Sequence, residues 1–162
     1  MNETKSKLLD GRNDCLNCVK TLIELAQHQV YIIGENLEAD LYNHKFIYDH
    51  LSEMVTRNRK TDIRLLTHDT RVTTANGHYL ILLAQKLPTF AQIRTTVDPA
   101  HRKFRENWLI VDDMAFMRIK NPVRSEGYFE IDNKLECRSL TRDFLEIWEA
   151  SQPDQNTRRL GL

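Results

Sequence analysis

Apolar residues along the chain switch between two periods. From Arg12 they fall at Cys15, Cys18, Leu22, Leu25 and Ala26, three or four apart, which predicts an amphipathic helix. Val30-Tyr31-Ile32-Ile33 is an unbroken apolar run closed by Gly34 and predicts a strand buried on both faces. Phe46, Leu51, Met54 and Val55 stripe a second helix that ends in the basic cluster Arg57-Asn58-Arg59-Lys60, and Ile63-Arg64-Leu65-Leu66 is the next strand. A third helix is expected over Gly77–Lys86, stopped by Pro88, followed by a strand from Ala91 to Thr95 and a loop from Val97 to Arg105. Trp108–Val111, an Asp112-Asp113 turn and Ala115–Ile119 predict a hairpin. Tyr128–Ile131 adds an edge strand, and Leu140, Phe144, Ile147 and Trp148 mark a closing helix.

Helices alternating with short strands, then a hairpin, predict an α/β fold: a mixed β-sheet flanked by helices on both faces. One domain is expected over 12–151, with flexible tails at 1–11 and 152–162 and a mobile loop at Pro122–Gly127. The 162 residues suffice for a real core. Twenty-three basic residues balance 23 acidic ones, so any site for a polyanion must be local. No stretch approaches the ~20 apolar residues of a membrane span. Three cysteines form no disulfide framework, and reduced thiols fit a cytoplasmic chain.

Four stretches carry a family resemblance. "WLIVDDMAFMRI" resembles the strand-turn-strand of a phospholipase D repeat, and "RDFLEIWEAS" resembles its closing helix. "DIRLLTHDT" followed by "NGHYLILLAQKLP" is similar to a small bacterial subgroup of uncharacterised phospholipase-D-like domains, which sometimes occurs beside acetyltransferase domains. The likeness covers most of Cys15–Ser151 and implies the phospholipase-D-like fold. It also implies a homodimer, because one-repeat members dimerise to pair two His-x-Lys motifs; exposed apolar hairpin residues would form that face.

In active members the His of His-x-Lys attacks phosphorus, the Lys holds phosphate oxygens, and an Asp five residues further supports the His pair. Aligned through the hairpin, Asp113 matches that Asp, but Glu106 stands at the nucleophile position and Trp108 at the lysine position. A carboxylate repels phosphate and an indole cannot make charge-assisted bonds to it. The implied domain is catalytically degenerate.

Other residues keep chemistry open. His101-Arg102-Lys103 reads His-x-Lys but has Trp108 where the Asp should follow, so a solvated basic loop competes with a relocated motif. As an anion site, Arg94, His101, Lys103 and Arg105 crowd one region with Arg102. Asp69 after a strand and His78 at a helix start fit a cleft at strand C-terminal ends, and the resemblance supports both. Capping by His78 and an Asp69–Arg71 pair explain them equally well. Glu35, Asn36 and Asp40-Leu41-Tyr42 resemble the subgroup's opening and would flank the same cleft. Cys15 and Cys18 read as buried helix-face residues rather than metal ligands, and no metal or cofactor is expected.

The expected function is therefore binding of an anionic ligand or a protein partner. A phosphodiesterase or nuclease is the alternative, with His78 or His101 as nucleophile aided by Lys103 and Asp69. A nucleic-acid-binding module using Arg57-Arg59-Lys60 and Arg102-Lys103-Arg105 is the third reading, weakened by zero net charge.

Overall fold

In the computed structural model, which describes residues 6–157, one mixed sheet organises the chain. Its strands are β1 (Ser6–Asp10), β2 (Gln29–Gly34), β3 (Asp62–Thr67), β4 (Ala91–Thr96), β5 (Asn107–Val111), β6 (Ala115–Asn121), β7 (Glu126–Glu130) and β8 (Ser151–Pro153). They lie in the order β1-β7-β6-β5-β2-β3-β4-β8. Among neighbouring strands only the pairs β2–β3 and β3–β4 are parallel, with Val30 opposite Ile63 and Ile63 opposite Ala91. The helices are α1 (Arg12–Leu25), α2 (Ala39–Tyr42), α3 (Lys45–Arg57), α4 (Arg71–Asn76), α5 (Tyr79–Lys86) and α6 (Lys134–Glu149).

Strand alternation sorts the core into two layers. Val30, Ile32, Ile63, Leu65, Ile93, Leu109 and Met117 pack with apolar residues of α1, α3 and α5. Tyr31, Ile33, Leu66, Trp108, Ile110 and Phe116 point the other way onto α6, where Phe144 stacks on Tyr31 with ring centroids 4.7 Å apart. Each fully buried aliphatic or aromatic side chain contributes roughly 1.5–3 kcal/mol of transfer free energy, so both layers hold the sheet firmly. Helices thus cover both faces, as the pattern predicts. Cys15, Cys18 and Cys137 are free and buried, and burial pushes the Cys15 thiol up to about 11 and the Cys137 thiol up to about 12.

Several expectations give way. Ser6–Asp10, placed in a tail, is the edge strand β1, held by pairing with β7 and by Leu9 in the core. Ser151–Pro153, straddling the boundary of the other tail, is β8 on β4, and Asp154 fastens the chain beyond it through Thr70 Oγ1 at 2.7 Å. The remaining tail positions, 1–5 and 158–162, lie outside the described residues. Pro122–Gly127 is not an open loop. Its first four residues form the β6–β7 turn, whose Ser125 carbonyl accepts the Gly11 N–H (3.0 Å) and the Cys15 thiol (3.4 Å). Gly127 lies within β7, where a Cβ would come 2.0 Å from the Arg118 carbonyl oxygen. The hairpin's apolar residues are buried inside this chain, so they supply no dimer face.

Candidate cleft at the ends of the parallel strands

Strands β2, β3 and β4 end side by side at Gly34, Thr67 and Thr96. The crossover from β4 to β5 passes over those ends and contains a short 3-10 turn, His101–Lys103. His68, one residue past β3, fastens the crossover. Its Nδ1 lies 2.7 Å from Thr96 Oγ1 and its Nε2 lies 2.7 Å from the Phe104 carbonyl oxygen. A carbonyl only accepts, so Nε2 carries the proton and Nδ1 accepts the Thr96 hydroxyl. Burial lowers the His68 pKa below its ordinary value, against the opposing pull of the Phe104 bond, which keeps the ring neutral. Beside it the Glu35 carbonyl accepts the Thr67 hydroxyl at 2.6 Å and the His68 N–H at 3.1 Å.

These anchors frame an open cleft of about 460 Å³ lined by Glu35, His68, Asp69, Pro99, Arg102, Lys103 and Arg105. Arg102 donates to the Thr96 carbonyl (3.3 Å), and Arg105 to the carbonyls of Arg102 (2.6 Å) and Phe104 (3.1 Å). Among the described residues none of Arg102, Lys103 and Arg105 has an ion-pair partner. Asp69, by contrast, is occupied: Arg71 grips it through Nη2 at 2.7 Å, Nε at 3.1 Å and its backbone N–H at 2.9 Å. Those Arg71 bonds hold the Asp69 carboxyl down at about 2.

Other expected site residues lie elsewhere. His78 caps α5, its Nδ1 accepting the Leu80 N–H at 3.1 Å and its Nε2 lying 3.0 Å from the Leu37 carbonyl. It lines a separate hollow with Asn43, Tyr79 and Leu82, and burial pushes its pKa down to about 4. Arg94 points to the opposite layer, donating to the Trp148 carbonyl at 3.1 Å with its guanidinium 4.9 Å from the Trp148 ring centroid. Its even position along β4 sends it there. His101 belongs to the crossover but does not line the cleft, and its Nδ1 is buried without a hydrogen-bond partner. Tyr42 is fully buried and donates to Asn107 Oδ1 at 2.9 Å.

The hairpin end carries no cleft chemistry. Asp113 lies in the β5–β6 turn, beside the start of β2, at the far end of the sheet, with Thr141 Oγ1 3.3 Å away. Its neighbour Asp112 accepts the N–H groups of Gln27 (2.8 Å), His28 (3.0 Å) and Gln29 (2.9 Å). Trp108 packs in the layer against α6. Glu106 Oε1 accepts from Arg118 Nε at 2.7 Å and from Trp108 Nε1 at 3.0 Å. Burial alone would raise the Glu106 pKa, but the Arg118 and Trp108 bonds outweigh it and lower it. Arg57, Arg59 and Lys60 precede β3, at the opposite end from Arg102–Arg105, so the two basic clusters form no single stripe.

Sequence reasoning named Asp69, Lys103 and Arg105 and set Glu35 beside them; the structure brings these four together. It missed His68 as the fastening residue, because its partners Thr96 and Phe104 stand 28 and 36 residues away.

Known structures share this architecture. TrmBL2, an archaeal chromatin protein described as showing a novel mode of DNA binding, matches 95% of this chain at TM-score 0.68 and 15% identity. This chain spans 56% of that protein's length. Nuc of Salmonella typhimurium, a phospholipase D family member, matches 92% of this chain and 97% of its own at TM-score 0.63 and 11% identity. NucT from Helicobacter pylori matches 94% and 100% at TM-score 0.60 and 12% identity. The fold is phospholipase-D-like. No curated protein matches in sequence, and no helix among the described residues is long and apolar enough to cross a membrane. Residues 11–160 match the family described as a domain of unknown function, DUF7931, and the chain belongs to that family.

Proposed function

We propose that the domain binds a phosphate-bearing anion in the cleft at the ends of β2, β3 and β4, without turning it over. The carrying observation is that Arg102, Lys103 and Arg105 meet in one cleft with no carboxylate partner among the described residues. Unpaired guanidinium and ammonium groups give an oxyanion short, charge-assisted bonds, and the cleft lies where α/β sheets hold ligands.

Binding without turnover fits the histidines. A nucleophile needs a free imidazole nitrogen facing the phosphorus. Both nitrogens of His68 are bonded, His78 caps α5 in another hollow, and His101 does not line the cleft. Glu106 is engaged by Arg118 and by the Trp108 indole N–H. Nucleic acid is the second reading, favoured by the likeness to TrmBL2, which is described as binding DNA. A phosphodiester backbone would then be the anion, and affinity would fall steeply with added salt.

The test combines binding and turnover. Inorganic phosphate titrated into the ¹⁵N-labelled chain is expected to shift amides around His68 and Arg102–Arg105 saturably. Lys103→Glu with Arg105→Glu should weaken binding at least about tenfold, a loss of ~1.4 kcal/mol. Absence of saturable binding overturns the proposal. So does hydrolysis of bis(p-nitrophenyl) phosphate that His101→Ala abolishes, which would establish the nuclease instead.

A further inference from the structure

The cleft is not uniformly basic. Lining it together with the three cations is Glu35, whose carboxylate has no ion-pair or hydrogen-bond partner among the described residues. Its backbone, however, is fixed, because its carbonyl accepts both the Thr67 hydroxyl and the His68 N–H. Asp69, the other carboxylate of the cleft, has its oxygens bound to Arg71. His68 has no nitrogen to spare. Glu35 is therefore the acidic side chain of the cleft left open to a ligand.

A bare phosphate does not explain that arrangement. A carboxylate near phosphate oxygens repels them, so Glu35 works against a ligand that is anionic throughout. About 460 Å³ also exceeds what inorganic phosphate fills and falls within the ~300–1,000 Å³ of small-molecule pockets. An ionised carboxylate accepts hydrogen bonds and donates none. The complementary ligand has an anionic end for Arg102, Lys103 and Arg105 and hydrogen-bond donors, borne on neutral carbons, at its other end. Carboxylates recognise paired sugar hydroxyls in this manner in dinucleotide sites.

We infer that the cleft takes a hydroxyl-bearing phosphomonoester of the sugar-phosphate class, with its phosphate on Arg102, Lys103 and Arg105 and its hydroxyls on Glu35. This rests on the proposed anion binding and adds the polarity of the ligand to it. Glu35 is the residue that sets specificity.

Three probes separate the two ideas: inorganic phosphate, n-pentyl phosphate and ribose 5-phosphate, each titrated into the ¹⁵N-labelled full chain. The last two share a phosphomonoester and chain length but differ in hydroxyls. Ribose 5-phosphate is expected to bind about tenfold more tightly than pentyl phosphate. Glu35→Gln should weaken ribose 5-phosphate and tighten pentyl phosphate and inorganic phosphate, because a repelling charge is gone. Opposite movements of this kind cannot come from general loosening, and unchanged amide spectra outside the cleft show that the variant folds. Equal binding of the two esters, or an equal loss for all probes in Glu35→Gln, overturns the inference and leaves anion binding standing. If no probe binds the wild-type chain, both fall.

Discussion

The Asp112 carboxylate ties down three successive backbone N–H groups, which makes its removal a quantitative test. The side chain is only 8% exposed and takes three successive backbone N–H groups where α1 turns into β2. Bonds to a charged acceptor contribute roughly 1.5–3 kcal/mol when the donor is cut off from water. The Gln29 N–H is partly buried and belongs in that range; those of Gln27 and His28 are exposed, so water replaces most of theirs. Removing the carboxylate should thus cost about 2–4 kcal/mol. Asp112 also has φ 56, a left-handed conformation that costs alanine about 1 kcal/mol and asparagine much less. Asp112→Ala is therefore expected to destabilise by about 3–5 kcal/mol, lowering Tm by roughly 10 °C at ~2–4 °C per kcal/mol. Asp112→Asn keeps one oxygen for His28 and Gln29, which share Oδ1, and should lose only about 1 kcal/mol. Urea unfolding of the three proteins, with unchanged m-values, measures both. A loss under about 1 kcal/mol for alanine, or equal losses for both variants, would refute the reasoning.

The buried histidine and the altered hairpin each carry a further test. His78 has a folded pKa of about 4 against an ordinary 6.5, so on acidification the unfolded chain takes up the proton first. Its contribution is full above about pH 6.5 and is lost as pH falls toward 4, with His68 acting in the same direction. The unfolding midpoint should drop between pH 6.5 and 5, and His78→Asn should flatten that slope; equal slopes would show that His78 is not responsible. Restoring the active-family residues by Glu106→His with Trp108→Lys is expected to give no phosphodiesterase turnover, because Trp108 packs in the layer against α6, Glu106 is bound to Arg118, and neither lines the cleft. It should also cost about 3–5 kcal/mol, because the buried Trp108 is lost from its layer and Arg118 loses its 2.7 Å partner. Robust hydrolysis by that variant would contradict the assignment of the hairpin face.

What the sequence disclosed follows the range of the forces involved. Period and apolar runs located α1, β2, α3, β3, α5, β4 and the β5–β6 hairpin, because burial of alternate positions leaves a local trace. Strand β1 leaves none: Leu8-Leu9 sits among polar residues, and the strand exists by pairing with residues more than 110 positions away. Helix α4, Arg-Val-Thr-Thr-Ala-Asn, carries β-branched residues and no stripe, and is ended by Gly77 at φ 74. Gly127 read as a turn former but marks close backbone approach inside a strand. In the hairpin both aspartates suit a turn, and spacing alone selected Asp113; only the structure tells which one reaches across to Gln27–Gln29. The basic crossover is visible as composition, but composition also draws in Arg94, whose side-chain direction depends on strand phase rather than charge.

The two border strands of the sheet have a consequence for anything joined to this domain. Strand β1 comes from the start of the described chain and β8 from near its end, yet they occupy opposite borders, seven strand spacings or roughly 33 Å apart along the sheet. Modules fused upstream and downstream would be held on either flank with the whole sheet between them. A bivalent fusion made this way gains its reach from the rigid breadth of the domain, and its linkers need not supply it.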